Sequence, residues 1–358
     1  MKNLRIFMFA ILLALSLVVV GCAPSTPAPT PTAAPPTLPP PTAAQAPPTS
    51  IPLPSPTPGP VSFVWKITGE PEPLIAPTGL AIDKQGNLLV FDAGNGHVLK
   101  YSTEGKVVTQ WGSSGSGDGQ FDLSPDPDYG NDDIPLGDMV VDAQGNIYVA
   151  DAGNARIQKF DANGKFLVAW GKAGKGDGEF VRPIGVALDA QGNVYVVDDR
   201  LERIQKFDSA GKFLDKFGTT GTGDGQFVMP GYLAIDDQNN IYVPEWRRNR
   251  IQKLDGNGKF LAKWEKCGDS PILTPTSVAV DVQGNVYVAE RGVPQGQTRG
   301  TGTRVCKFDR AGQFLYAWGG RGSGDGQFFS PTGVVVDKDG NVYVADTGNH
   351  RIQNFRQQ

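Results

Sequence analysis

The sequence predicts an all-β protein: a six-bladed β-propeller of four-stranded antiparallel blades, the last blade closed by the N-terminal strand. Three observations carry this. A phrase of the form Asp-x-x-Gly-Asn-x-Tyr-Val returns six times, with Leu for Tyr in the first copy and Asn239 for Gly in the fourth. Its asparagines (Asn87, Asn146, Asn193, Asn240, Asn285, Asn341) stand 59, 47, 47, 45 and 56 residues apart, and a period in the forties carried by short strands marks a propeller or array. Finally, the last repeat stops one strand short while an orphan copy of that strand lies at the other end of the chain.

One repeat, residues 183–230, shows the unit. Pro183 to Asp189 is a short, mostly apolar run, as expected of a strand buried on both faces. Asp189-Ala190-Gln191-Gly192-Asn193 is a tight turn whose Gly supplies the left-handed conformation, and Asn239 is the next most tolerant residue there. Val194 to Val197 forms the second strand and Arg203 to Phe207 the third. A second turn, Asp208 to Lys212, leads into the fourth strand, Phe213 to Phe217. Such a meander cannot bury both faces alone, whereas six around an axis can. The missing fourth strand of the last repeat follows Arg351 to Phe355. Phe63-Val64-Trp65-Lys66-Ile67-Thr68-Gly69 reads like Phe314 to Gly319 and would fill that place, leaving only short, protected edges.

The string from Gly324 to Gln353 contains Gly-Asp-Gly-Gln-Phe, Pro-Thr-Gly-Val-Val-Val-Asp, Gly-Asn-Val-Tyr-Val-Ala-Asp and Asn-His-Arg-Ile-Gln. It closely resembles the NHL repeat, and the likeness runs from about Val61 to the end. The resemblance implies a six-bladed propeller. Proteins of that family include peptidyl-amidoglycolate lyases, RNA-binding domains of tripartite-motif proteins and sensor domains of bacterial kinases, so fold does not settle function.

Lys2 and Arg5 precede an apolar run, Ile6 to Val20, that reads as an export signal over residues 1–21. Val19-Val20-Gly21-Cys22 resembles a bacterial lipobox, which implies that Cys22 carries the lipid and that the protein is tethered outside the cytoplasm, to the cell membrane or the outer membrane. Residues 22–60 form a Pro/Thr/Ala-rich linker, with 16 prolines and no charged residue between Ala23 and Pro60. It cannot bury a core, and as polyproline II it would reach on the order of 100 Å. Residues 61–358 are the propeller. A net charge of −4 and export together argue against nucleic acid, which selects for basic surfaces. A monomer is expected.

In a four-stranded meander the first-to-second and third-to-fourth turns share one end, here called the turn face. The second-to-third loops and the blade connections share the other, the loop face. The repeats break on the loop face, and binding residues favour loops on a rigid scaffold. An insert between blades one and two carries Asp126, Asp128, Asp132 and Asp133. These are candidate calcium ligands, although their spacing departs from a calcium loop and a solvated acidic loop is the simpler reading. In blade four, Glu245-Trp246-Arg247-Arg248 replaces small residues, and a Trp beside arginines suits a binding hot spot. In blade five a long Gly-rich loop carries Arg291 and Arg299. Asp138 and Tyr232 replace a recurrent Gly at the channel mouth. Glu290 and Glu245 belong to a carboxylate position that recurs at the ends of the second strands with Arg downstream, so their pairing is structural. Cys267 and Cys306 fall toward the same end of the ring, and an oxidising compartment permits a disulfide; otherwise they are small buried side chains.

The lyase relatives hold a metal with histidines, and this chain has two, His97 and His350, in unrelated places. No nucleophile–His arrangement is credible, and the Gly-Asp-Gly stretches open no helix. Their following Phe is expected to wedge between blades. The sequence therefore reads as a lipid-anchored, non-enzymatic scaffold without cofactor, binding an envelope protein or glycan. The alternative is a metal-dependent lyase or lactonase, with Ca²⁺ or another divalent ion held by Glu245, Glu290 or Asp138.

Overall fold

The computed structural model describes residues 61–69, 72–122, 136–292 and 302–357. They form six four-stranded antiparallel sheets, each running from first to fourth strand in chain order except the last. Blade three follows the expected boundaries closely: Pro183–Leu188, Val194–Asp198, Arg203–Phe207 and Phe213–Phe217. The closing blade takes Gly333–Val336, Asn341–Asp346 and Arg351–Gln357 from the C-terminal end and Val61–Ile67 from the other. In that seam Val61 pairs with Gln357 and Ile67 with Ile352.

The six-fold phrase is a turn network. In blade three one Asp189 oxygen accepts the backbone N–H groups of Gln191 (3.0 Å) and Asn193 (2.8 Å). The other accepts the Asn193 amide at 2.8 Å and the Tyr195 hydroxyl at 3.3 Å. Lys206 lies 3.3 Å from the same carboxylate and 4.8 Å from the centre of the Tyr195 ring. Gly192 sits at φ 82° and Asn239 at φ 61°, the left-handed conformation that the hairpin twist requires. Each phrase therefore fixes a turn, and in blades two to six also the Tyr beneath it.

Between blades the expected wedges are present. Phe121, Phe180, Phe227 and Phe328 are all buried. Phe121 packs 5.1 Å from Phe91 of one blade and 5.8 Å from Phe160 of the next. Burying each such ring contributes roughly 1.5–3 kcal/mol. A clamp holds each wedge: the Gln205 side chain accepts the Gly178 N–H at 2.9 Å and donates to the Glu179 carbonyl at 2.8 Å. Gln158, Gln252 and Gln353 repeat this pairing.

Candidate functional site

The recurrent carboxylates at the ends of the second strands are structural, as their repetition implies. Asp151, Glu245 and Asp346 receive the Nε–H of Arg156, Arg250 and Arg351 at 2.7, 2.5 and 2.7 Å. Asp198 departs from the pattern. It accepts the N–H groups of Val181, Arg182 and Leu201, while Arg203 donates to the carbonyls of Lys175, Gly176 and Glu179. His97 takes the Arg position in blade one, 3.3 Å from Asp92, and His350 accepts the Ala76 N–H at 3.0 Å. Both histidines are occupied by the fold.

Blade five replaces the Gln clamp covalently. Cys306 stands where Gln158, Gln205, Gln252 and Gln353 stand in their blades, and it is joined by a disulfide to Cys267. Cys267 lies in a small hairpin (Lys266–Cys267 with Ser270–Pro271) where other blades have the Gly-Asp-Gly-Gln-Phe loop. Without a Gln donor, Glu290 keeps the Leu273 N–H at 3.0 Å and Arg304 at 3.4 Å. Burial raises its pKa to about 7, against the lowering effect of Arg304. Among the described residues, the one group of metal-type ligand atoms close enough to share an ion is Cys267, Glu290 and Cys306, and its two sulfurs are bonded to each other.

The central channel forms a cavity of about 250 Å³ lined by the first strands of all six blades. Its wall is aliphatic apart from Asp138, Tyr232 and Ser277, which occupy one repeat position in blades two, four and five. Blades one, three and six have Gly79, Gly185 and Gly333 there. A Cβ on Gly79 would lie 2.7 Å from the Asp138 Cα, and one on Gly333 would lie 2.3 Å from the Thr78 carbonyl oxygen. The ring is tightest at this level. Tyr232 leaves its own sheet: its N–H donates to the Thr276 carbonyl (2.9 Å) and its carbonyl accepts from Val278 (3.2 Å), both in blade five. Its hydroxyl crosses the axis to accept the Gly137 N–H at 3.2 Å, beside Thr78. Tyr232 is therefore a plug that closes the channel at its loop-face end. At the opposite end, Ile82, Val141, Leu188, Ile235, Val280 and Val336 are half-buried, so the funnel opens on the turn face.

Asp138, 8% exposed, accepts a long 3.4 Å hydrogen bond from the Val186 N–H and one from the Met139 N–H. Burial outweighs those donors and pushes its carboxyl up to about 8. Glu245 and Glu290 do not join it: each is held inside its own blade, and Asp138 alone of the three lines the channel. The expected carboxylate-held ion thus has no assembled ligand set among the described residues.

Trp246 is also corrected. It is 7% exposed and packs in the core with Tyr232 and Leu233. A Cβ on Gly231 would meet its Nε1 at 2.6 Å, so that glycine makes room for the indole. The Arg291 guanidinium lies 5.7 Å from the centre of the Trp246 ring system, and Arg247 and Arg248 are exposed beside it. Sequence reasoning missed the buried Arg182–Asp199 ion pair, whose Nε–Oδ1 bond is 2.9 Å. The signal was available, because Asp199 replaces the Ala of the Ala-Asp pattern's continuation (Ala152 in blade two) and Arg182 precedes the blade-three Pro. Asp126, Asp128, Asp132, Asp133, Arg299 and Cys22 lie outside the described residues.

Comparison with known proteins agrees with this architecture. The NHL repeat model matches residues 328–355, and a family described as a 6-bladed beta-propeller matches residues 130–211. Human NHL repeat-containing protein 3 is 32% identical over 81 residues, which is 23% of this chain and 22% of that protein. The chain thus spans about a fifth of the curated relative's length. Among solved structures, virginiamycin B lyase from Staphylococcus aureus aligns with a TM-score of 0.54 at 12% identity, covering 82% of this chain and 99% of the lyase. A gluconolactonase from Xanthomonas campestris aligns at 0.54 and 16% identity over 79% of this chain and 86% of its own. A Bacteroides thetaiotaomicron protein of unknown function reaches 0.57 at 16% identity, over 82% and 75%. At these identities the likeness is one of fold. Repeat, blade count and ring closure together make this chain a six-bladed β-propeller, with an NHL repeat matched at residues 328–355.

Proposed function

We propose that the protein is a lipid-anchored, extracytoplasmic binding scaffold whose loop face at blades four and five captures an acidic envelope component, protein or glycan. The observation that carries this reading is that Arg291 lies over the Trp246 indole and that Arg247 and Arg248, the next two residues, are exposed, on the face where the repeats diverge. Trp246 acts from beneath, as a rigid base that holds Arg291 in place. Clustered arginines suit carboxylate or phosphate groups, which they pair in bidentate fashion. The lipobox-like Cys22 and the charge-free linker support tethering at a distance from the membrane. Containment of Glu245 and Glu290 within their blades supports a non-enzymatic role.

The test is co-sedimentation of the protein with purified envelope glycan and with envelope proteins. Arg247→Glu with Arg248→Glu should abolish capture at unchanged melting temperature, and added salt should weaken wild-type capture. Unchanged capture by the double variant would remove the site. Cys22→Ser should release the protein from membranes. The fold shared with lyase and lactonase propellers keeps the enzymatic reading as an alternative, and a stoichiometric divalent ion in the purified protein would favour it.

A further inference from the structure

The channel is independent of the loop face, and its chemistry differs. Eighteen of the twenty-one residues lining the cavity are aliphatic, and the three polar ones share one level at its closed end. Each of those three presents acceptor capacity. Asp138 has two oxygens facing only backbone donors, one of them at 3.4 Å. Tyr232 accepts from Gly137 at 3.2 Å, and the Ser277 hydroxyl oxygen accepts from Val334 at 3.3 Å. A carboxyl group in such a place is costly to ionise unless a cation joins it. Arg182, whose charge reaches Tyr232, is committed to its buried pair with Asp199.

We propose that the channel is a blind pocket, entered from the turn face, for a small amine: an apolar body against the aliphatic wall and an ammonium group on Asp138 at the floor. The size of the cavity, about 250 Å³, restricts the ligand to a small molecule, below the usual range of drug-sized sites. An ammonium carries three donors and no acceptor, which matches a floor of acceptors. Ion pairing favours the ionised carboxylate, so a ligand that arrives as an ammonium near neutral pH displaces the Asp138 proton to solvent. An alcohol or a neutral amide of the same shape displaces none.

The experiment is calorimetric titration of the full chain with n-hexylamine, n-hexanol and hexanoate at pH 7, repeated in buffers of different ionisation enthalpy. The expected result is amine binding about tenfold or more tighter than the alcohol, release of about one proton per amine, and no hexanoate binding. Asp138→Asn should remove both the amine preference and the proton release. Val280→Trp, at the half-buried open end, should block all binding, and it serves as a second variant if Asp138→Asn fails to fold. Equal binding of amine and alcohol, amine binding without proton release, or no amine binding overturns the proposal. None of these outcomes bears on the loop-face arginines.

Discussion

A pair of alanine substitutions isolates the packing that holds neighbouring blades together. Gly105 and Gly211 occupy the same place in the third-to-fourth turns of blades one and three. Their φ angles are 77° and 88°, and both donate their N–H to the carbonyl three residues back, at 2.9 and 3.0 Å. They differ in what lies outside the turn. A Cβ on Gly105 meets nothing within 4 Å, whereas one on Gly211 would lie 2.6 Å from Cγ and Cδ2 of Trp170 in the preceding blade. Left-handed strain costs each alanine about 1–2 kcal/mol. Overpacking against the indole adds about 1–3 kcal/mol at Gly211 alone. With about 2–4 °C per kcal/mol for a domain near this size, Gly211→Ala should depress the melting temperature about twice as far as Gly105→Ala, or further. Trp170→Leu should return part of the difference, as contacting residues couple. Equal depression by the two alanines, measured by thermal and urea unfolding, would refute the argument that the turn glycine exists to admit its neighbour's aromatic ring.

Three further outcomes follow from the geometry. Reduction of Cys267–Cys306, which closes a separation of 39 residues, should lower stability by about 4 kcal/mol on the chain-entropy estimate; urea midpoints of oxidised and reduced protein measure it. Asp138 is an acid whose pKa in the folded protein is raised by burial to about 8, well above that of an aspartate in water, so the native state keeps a proton that the unfolded chain has lost, and stability falls as pH rises through that window. Asp138→Asn should flatten this decline between pH 5 and 8, and parallel pH profiles would contradict it. Trp246→Ala should cost about 3–5 kcal/mol, as for a buried aromatic, while Arg247→Ala at the exposed neighbouring position should leave the urea midpoint within error.

Much of the ring was legible because each blade repeats the same local chemistry. The Asp189–Asn193–Tyr195 network and the Phe wedges recur in most copies and can be read from one of them, and the orphan strand at Phe63 identified its own partner. What failed to appear was chemistry that depends on meetings across the ring. Trp246 looked exposed because a loop position was read by its neighbours in sequence, and its burial depends on Gly231 one strand away. Asp138 and Tyr232 were found as departures from Gly, yet the plug exists only because a blade-four side chain reaches Gly137 in blade two. Arg182 and Asp199 were readable as two departures in one blade, and they become a pair only once the strands fold back.

Val61 and Gln357 face each other as strand partners, so the propeller is a circle in all but one peptide link. Its fold has no preferred beginning. A circular permutant that joins these two residues through a short linker and opens instead at an exposed turn, such as that at Gly105, would retain every blade register. The seam now held by strand pairing, by ring contacts such as Phe63 on Phe355 and by the Lys66–Asp325 ion pair would become covalent, and the new break would fall within a hairpin. Order of synthesis, and with it which blade folds first, could thus be changed while the finished ring stayed the same.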